Sequence, residues 1–207
     1  VEVKAKCSIK DLEKISMDLT GREFAEKIQK AVRISHIDPY RAATHNKGIF
    51  NGIDAVVLAT GNDFRAIEAC GHAYAARDGQ YRGLTRVDIE GDQFCFSLKL
   101  PLALGTVGGL TSLHPCAKLS LDILQRPNSS KLMEIACSIG LLQNFAALTS
   151  LVTFGIQKGH MKMHLVNILN SLQASDEEKE IIKKKFQDKI VSVEGVRESL
   201  RKIREYH

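Results

Sequence analysis

The sequence predicts an α+β fold, rich in helix, with a small sheet and a β-hairpin around a buried central helix and a small helical flap at the C-terminal end. Three features carry that prediction. An alternating strand opens the chain, a Gly-Asp turn joins two more alternating segments, and most of the remainder shows helix caps and helical apolar spacing.

In residues 1–8, Val1, Val3, Ala5 and Cys7 alternate with Glu2, Lys4, Lys6 and Ser8, the period of a half-buried strand. Thr20 and Glu23 form a capping-box pattern ahead of Phe24, Ile28, Ala31 and Val32, which predicts an amphipathic helix to about Ser35. Asp38-Pro39 opens a further helical segment with proline at its first position. The next helix is expected from Asn62 or Asp63 to Gly79, with Phe64, Ile67, Cys70 and Tyr74 facing inward. Residues 84–89 and 94–100 flank Gly91-Asp92 and predict the hairpin. After the glycine-rich break at 105–109, residues 115–124 are helical in pattern, and Asn128-Ser129-Ser130 caps a long apolar helix. Beyond Gly159 come a short segment at 160–172, a Ser175/Glu178 capping box leading a charged helix, and a last helix over about 192–206.

The 207 residues suffice for one domain or two, and 44% hydrophobic with 26% charged residues is ordinary globular usage. The net charge of +5 is dispersed; Lys183, Lys184 and Lys185 lie beside Asp176, Glu177, Glu178 and Glu180 and are read as a solvated helix face. With aromatics at 6%, nothing calls for nucleic acid, whereas a basic pocket for a small acidic ligand needs few charges. Cys7, Cys70, Cys95, Cys116 and Cys137, odd in number and widely spaced, are expected to be reduced and buried in a cytoplasmic protein. The apolar run 132–156 is long enough for a bilayer, but it contains Glu134, Gln143 and Asn144 and is read as a helix buried in protein, with no membrane partner. The first residue is Val1, with no signal-peptide pattern, and a fragment of a longer protein is expected.

Four segments are candidates for chemistry. In RAATHNKGIFNG (41–52), Arg41, Thr44, Lys47 and Asn51 share one helical face, bringing a guanidinium, a hydroxyl, an ammonium and an amide together. Such a face is commonly just solvated, but the apolar run 55–59 is expected to bury the following segment and hold Lys47 close to a core, where burial lowers a lysine pKa and a carboxylate restores it. In ATGND (59–63), Asp63 is a helix N-cap on the plain reading and a partner holding Lys47 in place on the functional one. In GHMKMH (159–164), His160 and His164 are one turn apart, but Met161 stands where the zincin pattern requires glutamate, so metal ligation is not expected; a histidine behind a glycine suits a mobile general acid. GTVGG (105–109) lacks the spacing of dinucleotide and phosphate loops and by itself marks only a loop.

Taken in order, RAATHNKGIFNGID, ATGND, GTVGG, His114-Pro115 and GIQKGHMKMH resemble the C-terminal half of the hydroxymethylglutaryl-coenzyme A reductases of class II, the bacterial and archaeal form, over about 37–164. The resemblance implies that Lys47, Asp63 and His160 are catalytic and that Arg41, Thr44 and Asn51 contact the hydroxymethylglutaryl group. It implies a reduction of 3-hydroxy-3-methylglutaryl-coenzyme A to mevalonate and coenzyme A, or the reverse, with NADH or NADPH. Lys47 would stabilise the oxyanion, His160 would protonate the departing thiolate, and Asp63 would keep Lys47 charged.

By the same resemblance, residues 1–157 belong to the large catalytic domain and 158–207 to the helical flap. The N-terminal half, with its glutamate and its dinucleotide-binding domain, is expected to be absent, so the cofactor-binding residues are unknown and this piece alone is expected to be inactive. A homodimer or higher homo-oligomer with composite active sites is implied. Two other readings are a non-catalytic acyl-coenzyme A-binding or assembly module, and a helical interaction protein using its basic C-terminal helices.

Overall fold

A computed structural model of the chain describes residues 1–153, 155–186 and 191–205; the side chains of 156–163 and 205 fall outside that description. It divides into two compact units, Val1–Thr153 and Phe154–His207.

The first unit begins with β1 (Glu2–Ser8), followed by the short α1 (Ile9–Leu12), which Ser8 caps through its side chain. The Thr20–Glu23 capping box starts α2 (Gly21–Ile37), as its sequence predicts. Asp38 caps α3 (Pro39–Ala59), with proline in the first turn. Asp63 then caps α4 (Phe64–Ala75). The hairpin is β2 (Thr85–Glu90) and β3 (Gln93–Lys99), and β1 joins it to give an antiparallel sheet in the order β1-β3-β2. Short α5 (Gly109–Leu113) and α6 (Pro115–Ile123) lead to α7 (Ser129–Val152), which Asn128 caps.

Helices α3 and α7 are the packing axis. Close approach of their backbones depends on glycine: a Cβ on Gly52 would lie 2.7 Å from the Ile139 carbonyl oxygen, and one on Gly140 would lie 2.7 Å from Ile53 Cγ1. The core around them includes Phe24 and Ile28 of α2, Ile49, Phe50 and Ile53 of α3, Phe96 and Leu98 of β3, and Leu132 and Leu148 of α7. Phe145 of α7 meets the rings of Phe24 at 6.2 Å and Phe96 at 5.8 Å, tying α2 and the sheet to the same axis.

Several expectations need correction. Residues 55–59 do not bury a following segment; they are the last turns of α3 itself, and of them only Val57 is buried while Ala55, Leu58 and Ala59 are exposed. Helix α4 ends at Ala75, four residues before Gly79, and its inner face is Ile67, Gly71 and Ala75, leaving Cys70 exposed. Gly71 belongs on that face because the Phe50 ring fills the space a Cβ would take. All five cysteines are free, but only Cys137 is buried; Cys70 and Cys116 are exposed. Helix α7 is long and apolar enough to cross a membrane, and in this chain it buries Leu132, Ala136, Cys137, Gly140, Leu141, Asn144 and Leu148 while Leu142 stays 63% exposed. Its burial is therefore one-sided, not all round.

The second unit contains α8 (Ile156–Ser171), α9 (Asp176–Lys185) and α10 (Val193–Glu205). Its own core joins Leu165, Ile168 and Leu169 to Ile182, Val196 and Leu200. The Ser175–Glu178 capping box starts α9, and Arg204 donates to both Glu178 carboxylate oxygens, at 2.7 and 3.0 Å.

Candidate functional site

Helix α3 presents two faces with different work. Buried on one are Ala42, His45, Asn46, Ile49, Phe50 and Ile53; exposed on the other are Thr44, Lys47 and Asn51, with Arg41 half-buried one turn before Thr44. The 3.6-residue period thus sorts this motif as the sequence predicts. Arg41 Nη1 donates to Thr44 Oγ1 at 2.8 Å, and the Thr44 hydroxyl donates back to the Arg41 carbonyl at 3.0 Å. Burial lowers the Arg41 pKa, and only Asp38 opposes that. Lys47 has no hydrogen bond or ion pair among the described residues. Its ammonium, the Arg41 fork and the Asn51 amide form an exposed polar surface rich in donors for a carboxylate or a developing oxyanion.

Asp63 does not lie beside Lys47 within this chain. Its carboxylate accepts from the backbone N–H of Arg65 at 3.0 Å, from Arg65 Nε at 3.1 Å and from Arg65 Nη2 at 3.2 Å. Arg65 therefore holds the Asp63 carboxyl below the usual carboxylate range. The reason for the separation lies in α3, which runs unbroken past Lys47 to Ala59. The turn after it is anchored where the Asn62 N–H donates to the Val57 carbonyl at 2.9 Å. Val57 lies ten residues beyond Lys47 on that helix, about 15 Å of axis, which exceeds the reach of a lysine side chain.

What ATGND meets instead is GTVGG. Asn62 Nδ2 donates to the Gly105 carbonyl at 3.1 Å and the Gly105 N–H donates to Asn62 Oδ1 at 2.8 Å, a reciprocal pair. Gly61, at φ 72°, sits so close to α6 that a Cβ would lie 3.2 Å from Ala117 Cβ. Asp63 thus belongs to a loop cluster at the far end of α3 from Arg41. His160 lies outside the described side chains, and His164 is exposed on α8. Among the described residues, no group of three or more histidine, cysteine, aspartate or glutamate side chains is placed to hold a metal ion.

The sequence reading missed two arrangements. Under the Lys47 face, His45 Nε2 lies 2.6 Å from Thr85 Oγ1, the Thr85 hydroxyl donates to Asn144 Oδ1 at 3.2 Å, and Asn144 Nδ2 donates to the His45 carbonyl at 3.0 Å. Next to it, Asn46 Nδ2 donates to the Arg82 carbonyl at 2.9 Å and its Oδ1 accepts from the Leu84 N–H at 3.0 Å. Burial, reinforced by Arg41 and His36, pushes the His45 pKa down to about 3. Further along, Asp54 of α3 faces Glu68 of α4; burial first, then Glu68, pushes the Asp54 pKa up to about 6. The THN and NGID spellings gave half of each arrangement, but the partners lie on other elements, which helical spacing cannot reveal.

The sequence model of the hydroxymethylglutaryl-coenzyme A reductases matches residues 1–165. The chain belongs to this family. A 3-hydroxy-3-methylglutaryl-coenzyme A reductase of Archaeoglobus fulgidus is 43% identical over 187 residues, which are 89% of this chain and 42% of that protein. A probable reductase of Borreliella burgdorferi is 40% identical over 159 residues, 75% of this chain and 37% of that protein. Among solved structures, one of the reductase of Streptococcus pneumoniae is 41% identical with a TM-score of 0.71 and covers 98% of this chain and 48% of its own. Another, described as the class II enzyme bound to NADPH in open conformations, is 47% identical with a TM-score of 0.70, covering 73% of this chain and 41% of its own. The chain therefore spans about two fifths of the length of the curated relatives it matches. The Streptococcus pneumoniae enzyme is described as the class II form, the form of the sequence resemblance, and the likeness in structure agrees with the α+β fold seen here.

Proposed function

We propose that this chain is the catalytic segment of a hydroxymethylglutaryl-coenzyme A reductase. The whole enzyme reduces 3-hydroxy-3-methylglutaryl-coenzyme A to mevalonate and coenzyme A, or runs the reverse, with NADH or NADPH. The observation that carries this reading is the α3 face, where Arg41, Thr44, Lys47 and Asn51 of the family motif line up on one exposed stripe.

Reduction of a thioester carbonyl gathers negative charge on its oxygen, and the Lys47 ammonium is the group this chain offers to stabilise it. Arg41, braced by Thr44, and Asn51 bind the acidic hydroxymethylglutaryl end. His160 supplies a proton to the departing coenzyme A thiolate, whose ordinary pKa of about 8.5 suits an imidazolium donor near neutrality. Asp63 keeps Lys47 charged. The length of α3 that runs on past Lys47 before the turn to Asp63 favours a composite site, with Lys47 of one copy meeting Asp63 of another in a homodimer or higher homo-oligomer.

The described strands form an antiparallel sheet with no parallel β-α-β unit, so they offer no doubly wound crevice for a nicotinamide dinucleotide, and its binding is assigned to another part of the enzyme. The family match favours a catalytic role over a non-catalytic acyl-coenzyme A module or a helical interaction protein. A cytoplasmic enzyme, with α7 as a core helix, is the matching location. In a complete reductase polypeptide carrying this chain, Lys47→Ala is expected to lower turnover by a factor on the order of 10²–10³. Full retention of substrate-dependent NAD(P)H oxidation removes Lys47 from the mechanism.

A further inference from the structure

Beneath the exposed stripe of α3 lies a ring of hydrogen bonds that closes on itself through three elements. His45 of α3 reaches Thr85 of β2, Thr85 reaches Asn144 of α7, and Asn144 returns to the backbone carbonyl of His45. All three side chains are at most 2% exposed.

The chemistry of the ring fixes every proton in it. The His45 carbonyl only accepts, so the Asn144 NH₂ faces it and the Asn144 oxygen faces Thr85. That oxygen takes the one hydroxyl proton of Thr85, so the proton on the third side must come from His45 Nε2. The ring thereby places a proton on His45 Nε2, and burial keeps the imidazole neutral, leaving Nδ1 buried and without a hydrogen-bond partner. A buried acceptor left bare costs stability. Arg41, one turn away on the same helix, makes a second positive charge at this spot unfavourable.

The ring and a separate pair of hydrogen bonds beside it grip α3 at the two residues that precede Lys47. His45 is held from β2 and α7, and Asn46 is held by the chain leading into β2, through Arg82 and Leu84. These polar anchors act with the buried Ile49, Phe50 and Ile53 to set the rotation of α3 about its axis, and with it the outward direction of Thr44 and Lys47.

We propose that His45, Thr85 and Asn144 are positioning residues for the reaction, a buried ring that sets the direction of Lys47 from behind. This rests on the catalytic reading above. Because Lys47 acts on charge present only in the transition state, loosening the ring lowers kcat and leaves KM for the thioester nearly unchanged.

The test uses the complete reductase polypeptide with Thr85→Val, which keeps the shape and removes the hydroxyl, and Thr85→Ser, which restores it. Ile28→Val in the α2 core serves as a control for lost stability alone. Thr85→Val is expected to lower kcat at least tenfold with KM within twofold, Thr85→Ser to recover most of it, and Ile28→Val to keep wild-type kcat at a similar drop in Tm. Should Thr85→Val not fold, Thr85→Cys takes its place, with the same loss of kcat expected. A Thr85 variant that matches Ile28→Val in kcat overturns the inference while leaving the catalytic reading intact. Full turnover by Lys47→Ala overturns that reading, and the positioning role with it.

Discussion

The Asp63 carboxylate and the Arg65 guanidinium form a two-pronged pair across the first turn of α4, with Nε at 3.1 Å from Oδ1 and Nη2 at 3.2 Å from Oδ2. Within one chain this cation takes the place that the functional reading gives to Lys47. Both partners are exposed, so the pair adds little stability and is readily exchanged for another cation.

If Lys47 of one copy meets Asp63 of another, two inactive variants complement each other. Lys47→Ala and Asp63→Asn reductases, unfolded and reassembled together, are expected to regain roughly a quarter of wild-type activity, since half of the dimers are hybrids and one of the two sites in each is intact. An assay of the mixture against each variant alone checks this. No recovery places both residues in one subunit's site.

Asp54 and Glu68 predict how stability changes with pH. Asp54 ordinarily titrates at 3.8 and is pushed up to about 6 in the folded chain. The folded state then holds a proton that the unfolded state has released, so stability falls as pH rises from about 4 to about 6 and is greatest below that window. Allowing for solvent screening at a half-exposed site, the loss is about 1 kcal/mol. Thermal melts between pH 4 and 7 are expected to slope downward through this window for the wild type, and Asp54→Asn to flatten the slope and raise Tm at pH 7. An unchanged slope refutes the pairing.

Elements with local signals were legible in the sequence. Thr20 and Glu23, Asp38-Pro39, Asn128, and Ser175 with Glu178 each mark a helix start within their own few residues, and Gly91-Asp92 marks the hairpin. The α3 face was legible for the same reason, as Arg41, Thr44, Lys47 and Asn51 depend only on helical period. The relation of Lys47 to Asp63 was not, because it depends on where α3 ends. The apolar run 55–59 read as a separate buried segment, and its continuation of α3 is what carries Asp63 away. The His45 ring was equally hidden, since Thr85 and Asn144 are distant in sequence and neither is unusual on its own element.

Gly52 tests the α3–α7 axis. A methyl group there meets the Ile139 carbonyl oxygen at 2.7 Å and Gln143 Cβ at 2.9 Å, and backbone cannot swing aside as a side-chain tip would. Gly52→Ala is expected to destabilise the first unit by about 1–3 kcal/mol through forced separation of the helices, despite the better helix propensity of alanine. Gly48→Ala on the same helix is the contrast, because its new methyl lies at ordinary contact distance from Asn144 and Ala147. Chemical denaturation of the two variants is expected to separate them clearly; equal midpoints mean the helices do not approach at Gly52.

In the second unit, Glu178 joins two jobs in one carboxylate. It accepts from the Ser175 backbone N–H at 2.8 Å to complete the capping box of α9, and it takes both prongs of Arg204 from α10. Arg204 first, then the Ser175 N–H, pulls its pKa from 4.5 down to about 2. A depressed carboxylate stabilises the folded state above pH 4.5, and the contribution is lost as pH falls from there toward about 2. Glu178→Gln keeps an acceptor for Ser175 but ends the ion pair, so α10 is expected to lose amide-exchange protection more than α9 at pH 7, and acid to have less further effect on it. Arg204→Ala is expected to give the same pattern. Equal protection of α10 in wild type and both variants shows that the helix is held by Val196 and Leu200 in the core, with no measurable help from the pair.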